Sequence, residues 1–232
     1  MYKKEYICRV NIELSYTEEN YLKAIFSLSA KNGSAVSTND IASILNTKAS
    51  SVTDMIKKLA DKKLVDYKKY QGASLTNKGL KIAVSIVRNH RLWEVFLVEK
   101  LDFNWDEVHD LAEQLEHIKS IQLTDKLDAF LGNPTHDPHG DPIPDKDGNI
   151  DLSSNELLSN ITGGKTCSVI GVKDSSSLFL KFLDKSNIKL GSVIKVLYKE
   201  DFDNSMFVEI DDEERSLSNQ ITKNLFVKNI KS

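Results

Sequence analysis

Apolar positions recur at helical spacing up to about residue 130 and in short alternating runs after residue 157, so the chain predicts a helical part followed by a small β part. Over Tyr16–Ser29, the residues Tyr21, Leu22, Ile25, Phe26 and Leu28 form one apolar face, with Thr17 as the expected N-cap and Asn32-Gly33 as the stop. Thr38–Leu45 reads as a short helix, Asn46-Thr47-Lys48 as a turn and Ala49–Lys62 as a second helix. In that second helix Val52, Met55, Ile56 and Leu59 fall at i, i+3, i+4 and i+7, a single core-facing stripe. Two short helices joined by so brief a turn predict a helix-turn-helix. Leu64–Tyr70 and Ala73–Leu75, arranged about Gln71-Gly72, predict a β-hairpin wing, and a further helix begins near Thr76.

All four prolines, Pro134, Pro138, Pro142 and Pro144, fall in GNPTHDPHGDPIPDKDGN, which reads as a linker or long structured loop. Beyond Leu157, the runs Cys167–Val172, Ser192–Tyr198, Met206–Ile210 and Leu225–Ile230 are rich in β-branched residues and separated by Gly, Asp, Asn and Ser. That pattern predicts a small β-barrel.

Composition narrows the class. With 232 residues, 40% hydrophobic and 28% charged, the chain has an ordinary globular make-up. No run approaches the roughly 18 apolar residues of a membrane span, and the first fifteen residues carry charges where a signal segment would be apolar, so a cytoplasmic protein is expected. Cys8 and Cys167 stand far apart without CxxC spacing and read as reduced thiols. The net charge of −3 conceals a division: residues 16–89 hold 12 Lys/Arg against 6 Asp/Glu, whereas residues 90–156 hold 5 against 16. The first segment attracts phosphate and the second attracts cations.

Each segment carries matching chemistry. The outward positions of the second short helix are Ser50, Ser51, Thr53 and Asp54, side chains small enough for close groove approach, followed by Lys57 and Lys58, which reach phosphate. The wing adds Lys68, Lys69 and Tyr70, and the combination predicts binding to double-stranded DNA. All five histidines lie between positions 90 and 139. His90 and Glu94 are i and i+4, and a helical HDLAEQLEH places His109, Glu113, Glu116 and His117 within about 100° of arc. One such pair makes an ordinary surface hydrogen bond. Two in succession among Leu92, Val95, Leu111 and Leu115 put carboxylates beside a core, where they are costly unless neutralised. A divalent cation supplies that charge. Oxygen and imidazole donors without thiolate suit Mn²⁺ or Fe²⁺, and the chemistry alone leaves Zn²⁺ open.

The succession EENYLKAIF, ASSVTDMIKKL, LTNKG, NHRLWEVFLVEKL, HDLAEQLEH and PHGDPIP resembles the diphtheria-toxin-repressor family of metal-dependent transcriptional regulators, in its manganese-responsive branch. The resemblance runs from Tyr16 to the C-terminus. It implies a mainly α architecture with small β elements: a winged helix-turn-helix DNA-binding domain (16–76), a helical metal-binding and dimerisation domain with a Pro-rich loop (77–150) and an SH3-like β-barrel (157–232). It further implies one metal site of Glu113, Glu116 and His117 with Asn20 at the first-helix position, and a second of His90, Glu94 and His109 with Asp174 added from the SH3-like domain. The family usually has Asp or Met where this chain has Asn20, so the first site here loses a charge or a soft donor. His136 and His139 are expected to be structural or solvent-facing. Trp93, Phe96, Leu97 and Leu101 are expected contributors to a homodimer.

The function implied is a Mn(II)-activated repressor of metal-uptake genes, with Fe(II) as the alternative ion, binding palindromic operators as a dimer and touching no membrane. Metal bound in one conformational state shifts the population toward it, and operator DNA must then tighten metal binding in return. Coordination needs neutral imidazole, so the metal response should weaken as pH falls toward the ordinary histidine value of about 6.5. A winged-helix regulator of some other signal is the nearer rival. A metallohydrolase is the distant one, because HExxH and a phosphate-cradling glycine loop are both missing.

Overall fold

In a computed structural model, residues 13–32, 35–150 and 156–230 are described, and the chain divides into two compact units, Met1–Ile86 and Val87–Ser232. Cys8 and the expected helix stop at Gly33 lie outside the described residues.

In the first unit, helices α1 (Tyr16–Asn32), α2 (Thr38–Ile44) and α3 (Ala49–Asp61) precede strands β1 (Val65–Lys68) and β2 (Gly72–Leu75) and the start of α4 (Asn77–Leu101). The stripe on α3 behaves as its spacing requires: Val52, Ile56 and Leu59 are fully buried against Leu22, Ile25 and Ile41, with Met55 packed at the edge. Asn46, at φ 46°, turns the chain between α2 and α3, a left-handed conformation that asparagine tolerates. The Ser37 hydroxyl caps α2 by accepting from the Asp40 amide at 3.1 Å. The cap of α1 is Ser15 rather than Thr17. Ser15 Oγ accepts from the Glu18 amide (3.3 Å) and Glu18 Oε2 accepts from the Ser15 amide (2.9 Å), a reciprocal capping box that starts the helix one residue before Thr17. The wing is antiparallel, Val65 opposite Leu75 and Lys68 opposite Gly72. Val36 adds a bridge to Ala73 so close that a Cβ on Gly72 would lie 2.6 Å from the Val36 carbonyl oxygen.

In the second unit, the rest of α4 is followed by α5 (Val108–Leu115), α6 (Ile121–Phe130) and the Pro-rich loop. The loop is ordered by α4. Arg88 donates to the Pro144 carbonyl (2.8 Å) and to Asp128 (2.9 Å), and Arg91 donates to the Pro142 carbonyl. Then come β3 (Glu156–Leu157), a 3₁₀ turn at Leu158–Asn160, β4 (Thr166–Val172), α7 (Ser177–Lys185), β5 (Val193–Lys199), β6 (Met206–Ile210), β7 (Glu213–Leu217), α8 (Asn219–Thr222) and β8 (Leu225–Asn229). The sheet order is β3-β8-β4-β5-β6-β7, antiparallel throughout, with bulges at Val169/Gly171 and Val196/Tyr198. Its core of Cys167, Val169, Ile194, Val196, Val208 and Val227 is closed by Leu180 and Leu183 of α7.

The small β module is seated on the helical part of the same unit. Trp105 Nε1 donates to Asp184 of α7 (3.1 Å), Val172 N donates to the His139 carbonyl (2.6 Å), and Gly140 lies against the β4 bulge. A Cβ on Gly140, which has φ +85°, would stand 2.0 Å from the Gly171 Cα. Gly140→Ala should therefore destabilise the protein by more than about 1 kcal/mol, seen as a lowered midpoint in denaturant unfolding followed by tryptophan fluorescence.

Candidate metal centre and DNA-facing surface

The centre begins with α4. His90 and Glu94, one turn apart, are both buried beneath α5 and the Pro-rich loop. One oxygen of Glu94 faces three imidazoles: His90 Nε2 at 3.0 Å, His109 Nδ1 at 3.4 Å and His139 Nδ1 at 3.6 Å. His90 turns its other nitrogen to Glu116 Oε2 at 2.6 Å. Among the described residues, two groups have ligand atoms within 4.8 Å of one another, His90–Glu94–His109 and Glu94–Asp137–His139, and Glu94 belongs to both. Asp137 is held by its loop, its Oδ1 accepting from the His139 and Asp141 amides at 2.8 and 2.9 Å. A cleft of about 300 Å³, lined by His109 and His139 with Asp106, Glu107, Asp110, Ser175 and Ser177, opens beside the two groups.

The electrostatics follow from the burial. Burial alone would raise the Glu94 carboxyl, but hydrogen bonds from His109, His139 and His90 outweigh it and hold Glu94 well below the usual carboxylate range. Burial and the Glu94 charge push Asp137 up to about 7. Burial would lower His139, yet its hydrogen bond to Glu94 and the Glu94 and Asp137 charges raise it to about 9. The raised His139 imidazole therefore carries a proton beside Glu94 near neutral pH, and a divalent cation fits the same donor set of buried oxygens and imidazole nitrogens.

The other expected ligands are placed differently. α5 ends at Leu115; Glu116 is its C-cap, still in helical conformation with its amide donating to the Ala112 carbonyl (2.8 Å), and His117 lies just past the end. Glu116 and His117 are buried, whereas Glu113 is 43% exposed at its side chain with Oε1 3.7 Å from His109 Nε2. These three form no close ligand group among the described residues. Asn20, in the first unit, has its Oδ1 buried with no hydrogen-bond partner among the described residues, an orphaned oxygen of the kind a cation satisfies. Asp174 accepts the Ser176 amide (2.9 Å) ahead of α7 and joins neither group.

On the first unit, Ser50, Ser51, Lys57, Lys58, Lys68 and Lys69 are exposed as expected of a DNA-facing surface. Thr53 is half-buried and donates its hydroxyl to the Ala49 carbonyl (2.9 Å). Tyr70, at the wing tip, is 92% exposed with the Lys69 ammonium 5.0 Å from its ring centre. Lys57 lies 3.9 Å from Asp54, while Lys58 lies 3.3 Å from the buried carboxylate of Glu18.

Comparison with known proteins gives three successive matches: the iron dependent repressor N-terminal DNA binding domain over residues 13–73, the iron dependent repressor metal binding and dimerisation domain over 76–145, and the FeoA domain over 157–229. A solved manganese-dependent transcriptional repressor in complex with manganese is 35% identical, with a TM-score of 0.78, covering 92% of this chain and 100% of that one. An uncharacterised helix-turn-helix regulator of Methanocaldococcus jannaschii is 35% identical over 118 residues, 51% of this chain and 94% of the relative. The chain belongs to the diphtheria-toxin-repressor family. It stands in the manganese-responsive branch of these metal-dependent, DNA-binding repressors, which are not enzymes. Other matches are partial: the alignment covers 57% of the iron-dependent repressor IdeR of Mycobacterium tuberculosis, at 33% identity over 132 residues (57% of this chain). The chain spans 19% of a metal transport system membrane protein of Chlamydia trachomatis, at 48% identity over 86 residues (37% of this chain). Among the described residues no helix is long and apolar enough to cross a membrane.

In this member of the family, Asp137 and His139 are the residues that sequence reasoning missed. His139 is buried with Nε2 2.7 Å from the Trp105 carbonyl, whereas His136 in the same loop is partly open. The signal was present in DPHGD, an acid and an imidazole two residues apart, but the surrounding prolines read as a linker or long structured loop whose histidines were structural or solvent-facing. Since the Glu94 charge raises His139, Glu94→Gln should move the His139 titration of the metal-free protein from about 9 toward the ordinary value. Histidine-resolved NMR titration measures this shift.

Proposed function

We propose that this repressor is activated by Mn²⁺, controls metal-uptake genes and binds a palindromic operator as a homodimer. The observation that carries the reading is the single Glu94 oxygen facing three imidazoles inside an acidic, buried setting. Glu94 with His90 and His109, and Glu94 with Asp137 and His139, would hold cation there; Glu113, Glu116 and His117 are the donors at the end of α5, and Asn20 offers a neutral oxygen from α1. The bound cation supplies positive charge to carboxylates that otherwise need protons. Oxygen and imidazole donors favour Mn²⁺ or Fe²⁺ over a thiolate-seeking ion.

For DNA, α3 would enter the major groove with Ser50, Ser51 and Thr53 nearest the bases, while Lys57 and the wing lysines Lys68 and Lys69 meet phosphate. A palindromic site follows from two-fold symmetry. Ile121 and Phe130 of α6, 77% and 64% exposed, and Leu101, 52% exposed, offer an apolar surface for the second copy; Leu97 is a core residue, and Trp93 and Phe96 are half-buried in the helical core.

A mobility-shift titration against the protein's own upstream DNA tests the reading. Mn²⁺ should tighten binding at least tenfold and a chelator should abolish the gain; equal affinity in both conditions refutes it. Direct metal titration supplies a second check. Glu94→Gln should weaken Mn²⁺ binding at least tenfold, and Asn20→Asp, which adds a charge, should strengthen it. Because His139 is raised to about 9, metal binding near neutral pH must displace protons, and affinity should rise with pH. Calorimetry in buffers of different ionisation enthalpy reads that release.

A further inference from the structure

Glu18 has more partners than a capping glutamate needs. It is 2% exposed in the first turn of α1, and Oε2 closes the capping box with Ser15. Its other oxygen, Oε1, faces two ammonium groups of the α3 end: Lys62 Nζ at 2.6 Å and Lys58 Nζ at 3.3 Å. Lys62 also donates to the Glu13 carbonyl at 3.3 Å. Lys58 and Lys57 are neighbours in sequence and similarly exposed, with side chains 57% and 62% accessible, yet their surroundings differ. The partner of Lys57 is Asp54, 3.9 Å away and 82% exposed, a pair that water screens. The partner of Lys58 is a carboxylate only 2% exposed, which keeps Lys62 but gains little water if Lys58 swings away, so the pair is less screened than that of Lys57.

We propose that Glu18 is a positioning residue that withholds Lys58 from DNA phosphate, so that the phosphate grip of α3 is set by Lys57 and the basal, metal-independent affinity is kept low. This rests on the reading that α3 faces DNA. The physical ground is that phosphate contacts are sequence-independent and act whether or not metal is bound. A repressor whose grip is to depend on metal gains range when a lysine next to the groove is already neutralised.

The test is the salt dependence of operator binding by the full-length, Mn²⁺-loaded protein, measured by fluorescence anisotropy on a labelled duplex. Each phosphate contact contributes about 0.9 to the slope of log affinity against log salt. Lys57→Gln should reduce the slope by about that amount, and Lys58→Gln by less than a third of it. In a Glu18→Gln background the slope should steepen, Lys58→Gln should then remove a full contact, and affinity measured with chelator should rise severalfold. Equal slope changes for Lys57→Gln and Lys58→Gln in the parent protein overturn the proposal, a comparison that stands even if Glu18→Gln does not fold. No slope change at either lysine overturns the reading of α3 as well. If Glu18 were merely structural, Glu18→Gln would weaken binding with and without metal alike and leave the slope unaltered.

Discussion

The second unit is organised around the need to neutralise buried carboxylates. Glu94, Glu116 and Asp137 are each no more than 3% exposed, and an ionised carboxyl removed from water is costly unless charge or hydrogen bonds meet it. The chain answers with imidazoles rather than with lysine or arginine salt bridges at Glu94. That choice matters because an imidazole can exchange its proton for a metal ion near neutral pH, whereas an ammonium or guanidinium cannot. Arg91 approaches only Asp137, at 3.6 Å, and is otherwise committed to the Pro142 carbonyl and Asp141. On the proposed function the centre has two ways of being neutral, one with protons and one with a cation that would meet the same oxygens.

This exchange acts at a junction within the unit. His139 stacks on Trp105 with ring centres 6.5 Å apart and ring planes inclined by 17°; its Nε2 meets the Trp105 carbonyl and its own carbonyl accepts from β4. Trp105 in turn reaches α7 through Asp184, and Asp106 beside it receives the Ser177 hydroxyl and the Lys181 ammonium. The imidazole that faces Glu94 is therefore fixed by groups from the β module. A loop rich in proline suits this position, since prolines offer carbonyls without competing amides, and Arg88 and Arg91 take up two of those carbonyls.

Legibility in the sequence followed the range of the interactions involved. The α3 stripe, the wing and the i, i+4 pairing of His90 with Glu94 are local, and spacing alone places them. The SH3-like sheet was readable where strands alternate, but Glu213–Leu217 has no apolar alternation because it is a charged edge strand, joined to β6 by Asp211 and Asp212, both at positive φ. Helix α7 was hidden by its flanking serines and its short length. The partners of Glu94 from the Pro-rich loop depend on a contact across 45 residues of chain, with no periodicity to announce it. The early end of α5 is of the same kind: HDLAEQLEH is helical by propensity, and the helix stops where Glu116 turns in to meet His90.

The division of charge between the segments acquires a reason at this point. To move a two-state regulator from 1:99 to 99:1, the effector must favour one state by about 5.5 kcal/mol. On the proposed function, that differential comes from the acidic segment, where a cation would replace protons among buried carboxylate oxygens. It also has to remain visible above the constant attraction between the basic segment and any phosphate backbone, which is present in both states and shifts nothing. A large excess of free lysine on the DNA-facing side would add affinity without adding response. The surplus of 12 basic over 6 acidic residues in 16–89, moderated where a buried glutamate meets the end of α3, is a charge balance that permits binding while leaving the decision to the metal.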